Sequence, residues 1–336
     1  MEVNCEGCAG CCMDWRSLLE GDSESTDANS GENGGEYGSG GDRDSGRRPR
    51  RRRDPIDGVD GDAPSRKPLD DDPNFVALTR DEVRAFLEAG MGDALTPRFW
   101  EARDESEGVE VDGHTVAAVA GRPAFFVGLR KPPKPVAPFG REEPTWLPSC
   151  VFLDPTTLQC RIHESDLFPD ECGSYPAYNL ALEQETECER VEAAVGGDRL
   201  LEADSDDTEG LLLGSQALGA KLFSHPRPAD LAGIVGRAAA GELTRRDRAE
   251  AIAVAAASSP GTLAISDHHY GWAKARVLEG EGADSSAERE PWVGPAIRDW
   301  HRRHREGVGA VPPPDVADAV EVERGAPETP GWDALE

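Results

Sequence analysis

The sequence predicts an α+β protein, in which a metal site nucleates a small irregular domain of short hairpins and an α-helical C-terminal region follows. Three observations predict this class. All eight cysteines fall in two windows, 5–12 and 150–188. Apolar and polar residues alternate through 108–119, as in paired strands, whereas residues 244–305 repeat the cap signals and apolar stripes of helices.

Composition divides the chain into five parts. Residues 1–20 carry an N-terminal cysteine cluster, 21–73 form an acidic and arginine-containing insertion, 74–196 make an α+β region with the second cysteine cluster, 197–310 are helical, and 311–336 form an acidic tail. The insertion consists mainly of Ser, Gly, Asp, Glu and Arg, which cannot offset their ordering entropy. We therefore predict that it is disordered.

The first cysteine cluster has the spacing of a metal-ligand loop. Cys5, Cys8 and Cys11 follow each other at C-x2-C intervals, as in the three-cysteine run that bacterial ferredoxins wrap around a [4Fe-4S] cluster. A fourth ligand must then come from elsewhere in the chain. Cys12 either bridges to a second metal or stays free, since adjacent side chains diverge. Zinc is the alternative metal, because structural zinc sites use similar hooks.

The second cluster supplies the remaining thiols. Cys150 and Cys160 lie on the two strands of a short predicted hairpin, so their sulfurs are expected to face one site. Cys172 follows in a turn-rich segment, and Cys188 follows a short polar segment predicted to be helical. His163 is a further candidate, as an imidazole that replaces one thiolate in a zinc site. Disulfides and inert buried thiols are the structural alternatives for the cysteines.

A comparison of free energies favours a metal site shared between the two cysteine windows. Closing a loop of about 140 residues costs roughly 5 kcal/mol. A structural cysteine-rich metal site contributes about 10 to 16 kcal/mol, which exceeds that cost. The comparison does not distinguish one metal site from two.

Local signals place the secondary structure of the middle region. Thr79 to Glu82 has the pattern of a capping box, which predicts a helix that ends at Gly90. Asp112-Gly113 favours a type I′ turn between two strands within 108–119, and 123–129 is a further strand. The proline-rich segment 131–148 is predicted to be a loop.

The C-terminal region reads as a series of helices. Segments 211–223, 244–257, 266–280 and 292–305 each combine apolar spacing with start or stop signals. His301 and His304 share a face of the last of these helices at i,i+3. No carboxylate completes a ligand set there, so we interpret them as surface histidines.

The charge balance predicts a salt-adapted, halophilic protein. There are 65 acidic residues against 36 basic ones, a net charge of -29, and only five of the basic residues are lysines. High salt screens the self-repulsion of so acidic a chain. An acidic solubilising surface at ordinary salt is the alternative, but it leaves the scarcity of lysine unexplained.

Charge and hydropathy also bear on partners and location. A nucleic-acid partner is not expected, because acidic blocks neutralise the basic run 47–53. Neither a secretory signal nor a membrane-spanning run is apparent, so we expect a cytoplasmic protein without a membrane partner. Thiols stay reduced in the cytoplasm, which favours metal binding over disulfides.

The cysteine signature resembles that of a known family. C-x2-C-x2-C-C near the start, followed by a C…C…C segment that ends in Tyr-Pro, is similar to the YkgJ-like CxxCxxCC family of zinc- or iron-chelating domains, here in an acidic, haloarchaeal-type form. The matching residues are Cys5, Cys8, Cys11, Cys12, Cys150, Cys160, Cys172, Tyr175 and Pro176. The resemblance covers 1–20 and 74–190, and it implies a metal or iron-sulfur site without a settled biochemical role.

Two departures from the family pattern affect what the resemblance implies. Ala9 stands where the family often has glycine, and Phe168-Pro169 stands where Arg-Pro usually precedes the third late cysteine. Flagellin lysine-N-methylases look similar in their cysteine signature, but this chain has no G-x-G-x-x-G cofactor loop.

Three functional hypotheses follow. The first is an iron-sulfur or zinc protein whose centre is structural or relays electrons to an unknown protein partner. The second is a metal-cluster enzyme, such as a protein methylase or an oxidoreductase. The third is an acidic interaction scaffold with a structural zinc. The sequence leaves open whether the protein is an enzyme.

Overall fold

The computed structural model describes residues 2–19, 67–182, 184–202, 215, 217–259, 262–279, 291–307 and 310–332. Within them the chain is a mixed α+β fold with a helical C-terminal region, as the sequence predicts. The basic run 47–53 and most of the predicted insertion lie outside the described residues. None of the described helices combines the length and the apolar character that a bilayer crossing requires.

Besides a helical turn at 16–19, nine short strands and ten α-helices have defined bounds. The strands are β1 (Glu2–Val3), β2 (Leu95–Phe99), β3 (Gly108–Val111), β4 (His114–Val119), β5 (Arg122–Leu129), β6 (Pro133–Val136), β7 (Thr145–Pro148), β8 (Leu200–Glu202) and β9 (Phe223–Ser224). The helices are α1 (Arg80–Glu88), α2 (Asp170–Ser174), α3 (Ala177–Ala181), α4 (Glu187–Val195), α5 (Leu218–Lys221), α6 (Ile234–Ala239), α7 (Arg245–Ala257), α8 (Asp267–Leu278), α9 (Val293–Glu306) and α10 (Val316–Val320).

A five-stranded antiparallel sheet lies at the centre of the α+β region. Its strand order is β2-β5-β4-β3, and β9 pairs with β5. Strands β3 and β4 meet at Asp112-Gly113, whose φ angles of 55° and 79° are the positive values that a type I′ turn requires. The predicted hairpin and the strand after it are therefore confirmed.

The predicted loop 131–148 is wrong, because β6 and β7 form an antiparallel hairpin there. The N–H of Ser149 donates to Pro132 O at 3.0 Å, so alternate residues 132, 134 and 136 turn their backbone groups toward β7, and the missing N–H groups of Pro133 and Pro135 fall on the opposite edge of β6. The hairpin therefore loses no donor on its paired edge. Prolines that stand at alternate positions are compatible with an edge strand, although they suggested a loop.

The predicted hairpin of 150–154 and 159–162 is reduced to a single bridge, between Leu153 and Cys160. Turns that begin at the two cysteines account for the difference. The N–H of Leu153 donates to Cys150 O at 2.9 Å, and the N–H of His163 donates to Cys160 O at 3.2 Å. These bonds form turns where extended strands were predicted.

Side-chain caps mark the first residues of three predicted helices. Thr79 and Glu82 cap α1 reciprocally, and Thr244 with Asp247 caps α7 in the same way, as predicted from their spacing. Ser266 caps α8 through the backbone of His269. Helix α9 also falls where the sequence placed it.

The predicted helix 211–223 is only partly described. Residues 211–214 and 216 lie outside the described part of the chain, and α5 covers only Leu218–Lys221. Phe223 belongs to β9, where it pairs with Phe125 of the central sheet. A long helix up to residue 223 is therefore wrong at its end, because the last residues complete the sheet.

One apolar core connects the two regions. Helix α7 is buried on nearly all sides, from Ala249 to Ala257, and packs against α8 and the central sheet. The core cluster also contains Cys8 and Met13 from the first cysteine loop and Ala326 near the C-terminus. The helical region thus shares its core with the cysteine-bearing region.

Both segments predicted to be polar extensions contribute to this fold. Residues 67–73, assigned by sequence to the insertion, pack beside the sheet through a bridge between Pro68 and Trp100. In the acidic tail, α10 buries Ala317 and Val320. The fully buried Glu321 then accepts a hydrogen bond from Trp300 Nε1 at 2.7 Å.

Candidate metal centre

Tight turns wrap the first cysteine loop. The N–H of Cys8 donates to Cys5 O at 3.1 Å, and the N–H of Cys12 donates to Ala9 O at 2.9 Å. Gly7 and Ala9 adopt left-handed conformations, with φ of 59° and 49°. The loop ends in the short 3-10 helix Gly10–Cys12. Small residues at 7, 9 and 10 therefore let the chain fold back on its own thiols.

Gly10 has a second role, because helix α4 packs directly on it. A Cβ at this position would lie 2.8 Å from Val191 Cγ2. Real Cβ atoms do not approach another carbon that closely. The glycine therefore brings the first cysteine loop against α4, the helix whose first turn carries Cys188.

Backbone pairing joins the two cysteine windows. Met13 and Ser149 form an antiparallel bridge, and the N–H of Cys150 donates to Cys12 O at 2.7 Å. The N–H of Asp14 donates to Pro148 O at 2.8 Å beside it. Two segments some 140 residues apart thus lie side by side, and the chain itself closes the long loop.

The remaining cysteines come from separate elements. Cys160 forms the single bridge with Leu153, Cys172 lies on α2, and Cys188 lies in the first turn of α4. All eight cysteines are free thiols. Cys8 and Cys150 are buried, whereas Cys5 and Cys11 are exposed.

Three of the sulfurs accept a hydrogen bond from the backbone N–H of the residue two positions later in the chain. Burial raises the pKa of Cys8, Cys150 and Cys160, the last to about 12, and each shift is opposed by a backbone hydrogen bond. The donors are Gly10, Phe152 and Ile162. Such N–H groups stabilise thiolates, because they hydrogen-bond the charged form.

Cys11 influences the pKa of every other thiol. Burial raises the pKa of six thiols, Cys5 to about 11, and a charge on Cys11 raises each of them further. The seventh neighbour is Cys12, whose sulfur lies 3.9 Å from that of Cys11. A hydrogen bond between the two raises the pKa of Cys12 and lowers that of Cys11. One thiol thus acts electrostatically on all seven others.

The other interactions divide the thiols into two sets. Cys188 is influenced by Cys5 and Cys8 in addition to Cys11. Cys172 is influenced instead by Cys150 and Cys160. Cys12 belongs with the second set, because its pKa is raised by Cys150 and Cys172. Cys188 is thus linked electrostatically to Cys5 and Cys8, and Cys172 to Cys150 and Cys160, while Cys11 acts on both groups.

Cations that were not predicted from the sequence lie near the thiols. Lys134 is fully buried, and its Nζ lies 2.8 Å from Val151 O and 2.6 Å from Leu153 O, next to Cys150. Burial raises the pKa of Cys150, and the charges of Lys134 and Lys131 oppose this rise. A signal for them was present in the sequence, since two of only five lysines stand three residues apart just before Cys150.

Arg199 and Glu187 complete the surroundings of the first set. The charge of Arg199 lowers the pKa of Cys5 and Cys8, against the larger effect of burial. Glu187 is buried and accepts a hydrogen bond from Trp15 Nε1 at 2.5 Å. No local pattern in the sequence indicated either residue, because both reach the site through tertiary packing.

The histidine candidates lie outside the thiol group. His163 is exposed, and its ring packs 4.8 Å from that of Phe168. His301 and His304 are exposed on α9, where His304 contacts the Trp146 ring at 5.2 Å. The N–H of His163 donates to Cys160 O at 3.2 Å. Among the described residues, no hydrogen bond or ring contact links the imidazole of any of these three histidines to a cysteine.

The chemistry of the thiol group fits a metal, although its side-chain arrangement is that of free thiols. Within the described residues, no three or more His, Cys, Asp or Glu side chains are arranged to hold a metal ion. The donors themselves are eight reduced sulfurs that act on one another and face backbone N–H groups and buried cations. Soft thiolates of this kind select zinc or iron-sulfur clusters.

Comparisons with known proteins place the chain in a family without revealing its chemistry. No curated protein and no solved structure matches the chain. The resemblance to the YkgJ-like family therefore stays a prediction. One family matches almost the whole sequence, over residues 1–333. The chain belongs to this family, described as a family of unknown function (DUF7531).

Proposed function

We propose that the chain is a metal-binding protein that holds two centres, each through four thiolates. Cys5, Cys8, Cys11 and Cys188 would hold the first. Cys12, Cys150, Cys160 and Cys172 would hold the second. The observation that supports this division is backbone contact: helix α4, whose first turn carries Cys188, packs on Gly10 of the first loop, whereas Cys12 O accepts a hydrogen bond from Cys150 N–H at 2.7 Å. The thiol pKa shifts agree, because Cys5 and Cys8 act on Cys188, and Cys150 and Cys160 act on Cys172.

The surrounding cations fit such centres. A divalent ion with four thiolates carries a net negative charge, and buried negative charge is costly unless cations compensate it. Lys134, which also pairs with Glu321, acts on Cys150 of the second set. Lys131 acts on Cys150 and on Cys11, and Arg199 acts on Cys5 of the first set. In a chain with a net charge of -29, placing scarce lysines here offsets the local repulsion.

The role that we infer is a structural centre or an electron relay to a protein partner in a reducing cytoplasm. Zinc supplies a crosslink alone, whereas an iron-sulfur cluster also supplies an electron. The exposed position of Cys5 and Cys11 supports access by a partner to the first centre. Reduced thiols are the form that the cytoplasm maintains.

Metal analysis of protein purified without oxygen tests the proposal. Two zinc ions per chain, or iron with matching labile sulfide and absorption near about 400 nm, are the expected results. Cys8→Ser removes a ligand of the first centre and Cys172→Ser one of the second, so each should lose about half of the metal. Ser174→Ala, on the same helix as Cys172, is the control and should keep all of it.

Two outcomes contradict the proposal. Unchanged metal content in both cysteine variants would show that these thiols are not ligands. Complete loss of metal in each variant would show one shared centre where two are proposed. Circular dichroism of each variant identifies loss of metal that results from global unfolding.

A further inference from the structure

Basic side chains from three elements meet around Asp93. Arg245, in the first turn of α7, places its Nη2 3.1 Å from Asp93 Oδ2, and Arg130, which directly follows β5, donates from Nη1 to Asp93 O at 3.0 Å. Two guanidiniums therefore contact the same residue from different elements. With the neighbours described next they form what we call the basic cluster, which consists of Arg130, Arg245, Arg248, His301 and Arg305.

Helix α9 supplies the other wall of the basic cluster. A Cβ at Gly294 would overlap Asp93 Oδ2, so the glycine lets the first turn of α9 pack directly on Asp93. His301 and Arg305 lie seven and eleven residues after Gly294, which places them on the same face of the helix. This face of α9 therefore turns towards the arginines that follow β5 and begin α7.

Three arginines of the basic cluster lack an anionic partner. Among the described residues, no carboxylate forms an ion pair with Arg130, Arg248 or Arg305. Arg130 and Arg248 donate to backbone carbonyls instead, the latter to Leu243 O at 2.7 Å. A carbonyl satisfies a hydrogen bond but carries no charge, so the positive charges remain uncompensated.

The carboxylates that act on Arg248 are already paired. Asp93 pairs with Arg245, and Asp247 accepts two hydrogen bonds from Arg237, at 2.6 and 2.8 Å. The chain does not lack acids, since it has 65 of them against 36 basic residues. An arginine group without its own carboxylates is therefore unexpected here, and an anion from outside the chain would supply the missing charge.

The positive charges also act against one another. Burial lowers the pKa of Arg130 to about 9, and the charges of Arg248 and Arg245 lower it further. Partial desolvation of its ring, and then the charge of Arg130, lower the pKa of His301 to about 4. Because like charges repel and an opposite charge favours the charged form, a bound anion would stabilise the basic cluster.

We propose that the basic cluster binds the phosphate group of a small molecule. Guanidinium groups pair with phosphate through two parallel hydrogen bonds. A phosphate ester carries about two negative charges at pH 7, which matches Arg130 and Arg248. His301 and Arg305 are exposed, so the basic cluster is open to solvent on the side of α9.

The small size of the ligand follows from the charge of its surroundings. The basic cluster draws on three short segments of a chain whose net charge is -29. A long polyanion would be repelled by the rest of the surface, whereas a single phosphate group contacts the basic cluster alone. This binding activity is independent of the metal centres and goes beyond the proposed function.

Calorimetry and thermal unfolding of the full chain, in its purified metal state and at one fixed ionic strength set with KCl, test this proposal. The probes are inorganic phosphate, glycerol 3-phosphate and ribose 5-phosphate. Glycerol, ribose and acetate are the controls. We expect at least one phosphate to bind and to raise the Tm, with acetate bound about tenfold or more weakly and the neutral compounds not bound.

The three probes also distinguish the source of the phosphate group. Tighter binding of an ester than of inorganic phosphate would assign a phosphorylated metabolite as the ligand. Tightest binding of inorganic phosphate would assign the free ion. Either result supports a phosphate site, because both ligands present the same group to the arginines.

Three variants locate the site. Arg248→Gln should weaken phosphate binding about tenfold or more and leave the Tm of the free protein equal or higher, because it removes one of several like charges. Arg305→Gln changes an exposed residue and should weaken binding without affecting folding. The control is Arg303→Gln, on the opposite face of α9 and paired with Asp299 at 3.2 Å, which should leave the phosphate affinity unchanged.

Several results would overturn the proposal. No binding by any of the three phosphates, or equal binding of a phosphate and acetate, would exclude a phosphate site. The same holds for an affinity that is unchanged in both Arg248→Gln and Arg305→Gln. A Tm that falls in free Arg248→Gln, with phosphate affinity unchanged, would show that this guanidinium is structural.

Discussion

Glu250 is the residue on which the polar contacts of the helical region converge. Its carboxylate accepts hydrogen bonds from Tyr270 OH at 2.7 Å, Lys274 Nζ at 2.5 Å and His225 Nε2 at 3.2 Å. Burial alone would raise the pKa of Glu250, but the bonds from His225, Lys274 and Tyr270 outweigh it and lower the pKa from 4.5 to about 2. The ionised carboxylate of Glu250, on α7, therefore links α8 to His225, the residue that follows β9.

This lowered pKa predicts a loss of stability in acid. A carboxylate whose pKa is depressed on folding stabilises the protein fully above its unfolded pKa, and this contribution is lost as the pH falls from about 4.5 towards 2. Glu250→Gln should reduce the free energy of unfolding by about 3 kcal/mol at neutral pH. Urea unfolding at a series of pH values measures the difference.

The exposed Glu242, before α7, provides the control. Glu242→Gln should change the free energy of unfolding little at any pH, because surface substitutions seldom matter. A Glu250→Gln deficit that stays constant down to about pH 2 would exclude the ionised carboxylate as its cause.

At the scale of elements, the C-terminal segment is held by one buried carboxylate. Glu321, which directly follows α10, accepts from Arg161 Nε at 2.8 Å and pairs with Lys134 Nζ at 2.7 Å. All three side chains are fully buried. Because Arg161 follows Cys160 and Lys134 lies beside Cys150, this ion cluster connects the C-terminal segment to the second set of thiols.

Removing the negative charge of Glu321 should destabilise the folded protein. Glu321→Gln leaves the buried Lys134 without its anion and leaves Arg161 paired with Asp154 alone, at 3.1 Å, so we expect the free energy of unfolding to fall by about 3 kcal/mol. Glu323→Gln, two residues further on and exposed, is the matched control and should have little effect. Equal stability of the two variants in urea unfolding would show that the cluster contributes nothing to the fold.

Elements with local signals were predictable, and those that depend on distant contacts were not. The caps at Thr79, Thr244 and Ser266 placed three helices correctly, because a cap is a short-range pattern. The β6–β7 hairpin was missed, since prolines lower strand propensity wherever the strand lies in the sheet. The packing of residues 310–332 was missed because it depends on partners far away in the sequence.

In the candidate site, too, local patterns were predictable and contacts between distant residues were not. Spacing alone identified the cysteines, because C-x2-C loops bring thiols together within a few residues. The roles of Lys134 and Arg199 were not predictable from spacing. Each reaches the thiols from another element, and only the folded chain shows which of the 36 basic residues are involved.

At the scale of the whole molecule, a strongly acidic chain folds so that several of its cations lie near its thiols. The net charge of -29 opposes compaction, and high salt would screen that repulsion. Salt adaptation stays a prediction. The single core that runs from Cys8 to Ala326 indicates that the thiol group and the helical region unfold together.

This cooperativity gives metal binding a direct link to stability. A ligand that binds only the folded chain stabilises it. The first proposed centre needs the first loop together with Cys188 of α4, and the second needs Cys12 together with Cys150, Cys160 and Cys172. Each metal can therefore bind only when segments distant in the sequence are in place. The metal would therefore stabilise the packing that Gly10 allows between the first loop and Val191.

X-ray absorption at the edge of the bound metal tests most directly whether the eight thiols are its ligands. We predict a first shell of four sulfurs and no nitrogen or oxygen, at about 2.3 Å if the metal is zinc. A first shell that contains nitrogen or oxygen, or fewer than four sulfurs for each metal, would contradict two four-thiolate centres.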